Sequence, residues 1–183
     1  MTSCLISKCL SVDDYGLITD ENDLRLVEVP GVGGPRKLHV CAAAIVTVLQ
    51  QLWFERTGQI PLLASGWRRP KWGDDYDHYK RDMIAQYGSV KVGRLFQAFR
   101  TSHGTGLAWD WGSHGLTPNS KTIKRQRVSA FYLFLCEIAE QSEWPCPVEN
   151  YSVEPFHWQA RVTKEEWERP PAWAQASSPA SPA

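Results

Sequence analysis

The chain has no Cys-x-x-Cys pair, no net charge, no internal repeat and no apolar run long enough to cross a bilayer, and each absence removes a class of function. Its five cysteines, Cys4, Cys9, Cys41, Cys136 and Cys146, are odd in number and scattered. Neither a disulfide framework nor a cysteine-held zinc is expected from them. Cys41 and Cys136 fall in apolar stretches where a thiol packs as a small hydrophobe, which points to a reducing compartment. Lys plus Arg number 20 and Asp plus Glu number 20. With no field of one sign, nothing directs the chain to nucleic acid or to an anionic membrane surface. The longest apolar run, residues 42 to 49, falls far short of the ~20 residues of a membrane-spanning helix. The opening MTSCLISKCLSVDD carries one lysine and then Asp13 and Asp14, not the basic-then-apolar order of a secretory signal. Synthesis in the cytoplasm is the expectation.

What is present fits one domain. A chain of 183 residues buries its own core without staples. Residues 1 to 37 hold short apolar pieces such as LRLVEV, broken by VPGVGGPRK, and read as an irregular lead-in packed on the domain. From Leu38 to Arg56 apolar residues recur at helical spacing, with Gly58 as a stop. IPLLASGW reads as a short buried strand, DDYDHYKRDMIAQYG as a helix ending near Gly88, and VGRLFQAFR as a further short helix. GLAWDW alternates as a strand does. KRQRVSAFYLFLCEIAEQSEW predicts one long amphipathic helix with Val128, Phe131, Leu135 and Ile138 as its stripe, and VENYSVEPFHW a final strand. Mixed elements without βαβ alternation predict an α+β domain over residues 38–169: a small antiparallel sheet packed with several helices. Residues 170–183, rich in Pro, Ala and Ser, are expected to be a disordered tail.

Three stretches set polar side chains inside apolar surroundings: SGWRRP at 65 to 70, SHGTGLAWD at 102 to 110, and VEPFHW at 153 to 158. Each is bland alone. A histidine in a glycine-rich turn is commonly solvated, one between Phe156 and Trp158 is commonly core, and Arg68 and Arg69 beside a proline are commonly surface charges. Together they supply two histidines, an aspartate, a glutamate and an arginine. That is the inventory of a hydrolytic zinc site: three protein ligands, a base and an anion-holding group. His103 and Asp110 are seven residues apart, too far for one helical turn, but Gly104 and Gly106 permit a bend that turns both toward one metal. His157 would be the third ligand of a Zn2+ ion. Glu154, with Pro155 breaking the pleat after it, would take a proton from the zinc-bound water and return it to the leaving amine. Arg68 would fork a substrate carboxylate or a developing oxyanion, as a lysine would not. His39 and His78 have no comparable context, whereas His114 is close enough to Asp110 to compete as a ligand or supporting partner.

SGWRRP, SHGTGLAWD and EPFHW, in that order and over roughly residues 38 to 160, resemble the zinc D-alanyl-D-alanine carboxypeptidase family, which includes VanY-like and VanX-like enzymes and phage L-alanyl-D-glutamate endopeptidases. The family pattern is approximately SGxR, SxHxxGxAxD and ExxH. Gly106, Ala108 and Asp110 match the second block after His103, and Glu154 and His157 match the third. One departure is visible: the family's serine two before the histidine is Thr101 here. The resemblance implies a zinc site in a cleft on the sheet, with His103, Asp110 and His157 as ligands, Glu154 as base and Arg68 as the substrate or transition-state arginine. It implies peptidoglycan stem peptides or muropeptides as partners. A monomer is expected, and an opening unlike a secretory signal leans toward release to the cell wall by a phage-type lysis system or toward a cytoplasmic recycling enzyme. The fold is shared with non-hydrolytic relatives such as the Hedgehog signalling domain. The alternative is therefore a zinc-binding module that recognises a peptide or glycan without cutting it. A third reading is an interaction domain that holds no zinc.

Overall fold

A computed structural model describes residues 5–6, 12–69, 81, 84–86, 88–89, 102–140, 148–151 and 154–176. The expected helix at 92–100 and His78 lie outside these residues. Of the helix expected at 74–88, residues 81 and 84–86 are helical, and Gly88 at φ +81° donates its N–H to the Ile84 carbonyl. No helix among the described residues is long and apolar enough to cross a membrane.

The architecture is α+β. A five-stranded sheet runs in the order β1-β6-β7-β5-β4, formed by Leu5–Ile6 (β1), Leu63–Ser65 (β4), Ala108–Trp111 (β5), Val148–Tyr151 (β6) and His157–Ala160 (β7). Three of its four pairings are antiparallel as expected, but β1 joins β6 in parallel, so the sheet is mixed at that edge. Leu26–Val29 (β2) and Arg36–His39 (β3) form a separate antiparallel hairpin. The lead-in is thus partly regular, and β3 runs across the boundary placed after residue 37. VENYSVEPFHW, read as one strand, is the hairpin β6 to β7 with Glu154 in its connection. Pro155 and the turn around it exclude the continuous ladder that alternation suggested.

Helix α2 spans Val40–Thr57, after the short helix α1 at Val12–Tyr15. Its ends show why it starts and stops there. The His39 ring accepts from the Cys41 N–H at 3.2 Å, and Gly58 at φ +72° donates back to the Phe54 carbonyl at 2.6 Å. Val40 to Val46 are all buried, Cys41 among them.

The long helix expected over 124–144 is two helices, α3 at Ile123–Gln126 and α4 at Ala130–Ala139. Ser129 separates them: its hydroxyl caps α4 by accepting from the Tyr132 N–H at 3.2 Å, so a new helix begins where the apolar pattern ran on. Val128 falls in that break at 73% exposure and leaves the stripe to Phe131, Leu135 and Ile138.

The core lies between the sheet and these helices. Alternation along β5 sends Trp109 and Trp111 to the face opposite Asp110. There Trp111 meets Phe131 edge-on at 4.9 Å, Phe131 meets Trp53 of α2 at 4.9 Å, and Trp158 meets Tyr132 at 6.2 Å. Burying such rings contributes more than any other contact class in a core of this size. Lys164–Glu168 (α5) opens with a reciprocal Thr163–Glu166 capping box. Ala172–Ala176 (α6) packs on α2 with Ala174 buried, so order continues past the expected tail boundary at 170. Trp173 packs on the core beside Ala174, apolar burial that the Pro, Ala and Ser composition did not announce.

Candidate metal centre

The site forms where three strands align. Asp110 of β5 lies directly opposite His157 of β7 on one side and Ser65 of β4 on the other. Residues paired in this way present their side chains on the same face. That face is the one turned away from Trp109 and Trp111. His103 arrives from outside the sheet, on a one-turn 3-10 helix at Ser102–Thr105 that precedes β5.

This turn is clamped from three directions. Its Gly104 carbonyl accepts from Ile18, its Thr105 carbonyl accepts from the indole of Trp167, and the Gly106 carbonyl that follows accepts from the His39 N–H. Gly106 holds φ +76°, and an added Cβ would stand 2.9 Å from the His39 nitrogen. Only glycine fits both demands. The predicted bend is therefore present, carried by Gly106 and not by Gly104, which has no positive φ.

Ligand atoms of His103, Asp110 and His157 all lie within 4.8 Å of one another, and all three residues are buried. His103 Nε2 is 3.4 Å and His157 Nδ1 is 3.0 Å from Asp110 Oδ1. The far nitrogen of each ring is occupied. His103 Nδ1 bonds the Gly66 carbonyl at 2.7 Å, which requires a proton on Nδ1 and turns the Nε2 lone pair to the site. His157 Nε2 meets Ser102 Oγ at 3.3 Å, leaving Nδ1 for the site. Two imidazoles and one carboxylate with their outer nitrogens hydrogen-bonded fit the donor set and the support that zinc takes. The group can hold a metal ion. Asp110, His157 and Ser102 also follow the order of a nucleophile triad, but Ser102 is fully buried and its role is support.

Charge follows the same geometry. Burial pushes the Asp110 carboxyl up, but the facing charges and hydrogen bonds of His103 and His157 outweigh it and hold it well below the usual range. Burial lowers His157, which favours the neutral ring a metal needs; its bond to Asp110 opposes this. Glu154 is pushed above the usual carboxylate range, first by burial and further by the Asp110 charge, against the pull of His157 and Arg68. Its carboxyl therefore shares the field of the cluster.

Arg68 lies against Asp110: its Nη2 donates to Asp110 Oδ2 at 2.8 Å and to Ser65 Oγ at 2.9 Å, while its side chain is 53% exposed. His114 does not compete. It sits at φ +53° beside Trp53 and Phe131, with Nε2 3.4 Å from the Ile60 carbonyl. Thr101, the departure from the family pattern, is outside the described residues; among the described residues the hydroxyls of Ser102 and Ser65 lie at the site.

Besides Ser65, Gly66 and Ser102, which bond the ligand residues, His39 and Asn150 escaped the sequence reading. His39 is buried and neutral, donating from Nε2 to the Trp167 carbonyl at 2.9 Å while Nδ1 caps α2; burial lowers its pKa to about 4. Asn150 is fully buried and its Nδ2 donates to the carbonyls of Glu154, Pro155 and His157 at 3.1, 3.3 and 2.9 Å. A polar residue centred in a short strand was the available signal for Asn150; nothing local marked His39.

No protein-family model and no curated protein matches the chain. Among solved structures it is similar to a mutant of the vancomycin resistance D,D-pentapeptidase VanY from a VanB-type resistance cassette, in complex with Zn(II). That similarity has a TM-score of 0.36 at 15% identity and covers 87% of this chain and 93% of the other.

Proposed function

We propose that the chain is a zinc-dependent peptidase that hydrolyses a bond in peptidoglycan stem peptides, next to D-alanine or between L-alanine and D-glutamate. The observation that carries this reading is the convergence of His103, Asp110 and His157 from separate segments onto one buried point, with Glu154 on the turn whose carbonyl accepts from the His157 N–H. Three ligands leave a fourth position open, the mark of a catalytic and not a structural zinc. The substrate class rests on the order and separation of SGWRR, SHGTGLAWD and EPFHW.

A bound Zn2+ would supply Lewis acidity, polarising the scissile carbonyl and making water a stronger acid. Glu154 takes the proton released as water attacks and delivers it to the leaving amine; a carboxyl held above its usual pKa suits both halves of that task. The Gly66 carbonyl holds the proton of His103 on Nδ1, and Ser102 Oγ stands where it can accept from His157 Nε2–H once Nδ1 turns to a metal. Arg68, at the rim, offsets negative charge growing on the carbonyl oxygen.

The test is incubation of the purified protein with defined muropeptides, with zinc, with chelator, and as Glu154→Ala, the products being read by mass spectrometry. New products are expected in the zinc-loaded sample alone. Identical products in all three samples overturn the reading.

A further inference from the structure

We infer that Ser65 and Arg68 form a hydrogen-bonded clamp that restricts Asp110 to a single ligating oxygen, Oδ1. This rests on the reading of the cluster as a zinc centre. The two oxygens of Asp110 have different surroundings. Oδ1 faces the histidines, 3.0 Å from His157 Nδ1 and 3.4 Å from His103 Nε2. Oδ2 is turned the other way, receiving the Ser65 hydroxyl and, at 2.8 Å, Arg68 Nη2.

The clamp is a closed triangle. Arg68 Nη2 donates to Asp110 Oδ2 and, at 2.9 Å, to Ser65 Oγ, and the Ser65 hydroxyl donates to Oδ2 and closes the ring. Strand register supplies the placement, because Ser65 stands directly opposite Asp110. Gly66 then spends its carbonyl on His103 Nδ1, so one short segment of chain, 65 to 68, orients two of the three ligands.

The consequence is coordinative. A carboxylate with both oxygens available can chelate and occupy the open position that hydrolysis needs. One whose second oxygen already accepts two hydrogen bonds, one of them from a cation, stays a one-oxygen ligand. Ser65 is thus a positioning residue acting through Asp110, and Arg68 serves the metal as well as the substrate.

The experiment measures zinc affinity of the full chain by competition with a chromophoric chelator, and the visible absorption of the Co2+-substituted protein, for the unaltered protein, Ser65→Ala, Ser65→Thr and Arg68→Ala. Ser65→Ala and Arg68→Ala are expected to weaken zinc binding about 10- to 100-fold, the usual cost of losing a hydrogen bond behind a ligand. Their cobalt absorption should also weaken as a second oxygen enters the coordination sphere. Ser65→Thr, which keeps the hydroxyl, should restore both. Arg68 is half-exposed, so Arg68→Ala tests the clamp even if Ser65→Ala fails to fold. Unchanged zinc affinity and cobalt spectrum in both alanine variants overturn the clamp and leave the zinc centre standing. An unaltered protein that binds no zinc overturns both.

Discussion

Asn150→Ala tests the support beneath the third ligand and the base at once. The side chain is fully buried, and its amide nitrogen faces the carbonyls of Glu154, Pro155 and His157. Three carbonyls around one atom identify that atom as nitrogen, and Tyr132 donates to the oxygen at 3.4 Å. Two N–H groups cannot fully serve three acceptors, so we count two net hydrogen bonds at ~1 kcal/mol each and ~1 kcal/mol for stranded buried carbonyls, ~3 kcal/mol in all. For a domain of this length that lowers Tm by roughly 6–12 °C. Asn150→Asp should be worse at neutral pH, because an acceptor replaces the donor. Its buried carboxyl would have a raised pKa, so the variant keeps more stability below the usual carboxylate range and loses it as pH rises through the raised value. The assay is thermal unfolding of metal-free protein at pH 4 and pH 8, with turnover at a permissive temperature. Glu154 and His157 sit on the turn that Asn150 braces, so turnover should fall even where the variant is folded. An Asn150→Ala protein that melts within about 1 °C of the unaltered chain would refute the reasoning.

Other substitutions separate binding, chemistry and folding. Asp110→Ala should abolish zinc binding by equilibrium dialysis, whereas Glu154→Gln should retain zinc and lose turnover by about 100-fold or more; equal metal loss in both would contradict the assigned roles. His39 has an ordinary pKa of 6.5 and about 4 in the fold, where burial disfavours the charged ring. Its stabilising contribution is complete above pH 6.5 and disappears as pH falls toward 4, up to ~3 kcal/mol over that window. Acid unfolding of His39→Gln should show a shallower loss there, and an identical profile would remove His39 as the cause. Gly106→Ala forces a left-handed residue and a contact with the His39 backbone, costing about 1–3 kcal/mol, and urea midpoints should show it.

How much of this was legible differs from residue to residue. The types that can ligate zinc, His103, Asp110 and His157, were readable because few side chains offer such atoms and because glycines around His103 announce a bend. α2 was readable because it is long, apolar and followed by Gly58. The break at Ser129 was not, since an N-cap serine and a mid-helix serine are the same letter until the chain's path is known. Glu154 was read within a strand and found in a turn, where Pro155 rather than alternation sets the direction of its side chain. The end of order was placed at 170, yet Ala174 is held by α2, a contact with no local trace.

The sequence by itself determined which side chains could donate to a metal and the α+β class, because these follow from residue type and short-range periodicity. Only the tertiary structure decided that Ser65, Asp110 and His157 stand side by side across β4, β5 and β7. It alone paired Arg68 with Asp110, and it alone put Asn150 beneath the Glu154 turn. The reason is strand register: a slip of one residue would turn Asp110 to the tryptophan face, and what opposes the slip is packing of Trp111 and Trp158 against Phe131 and Tyr132 of α4.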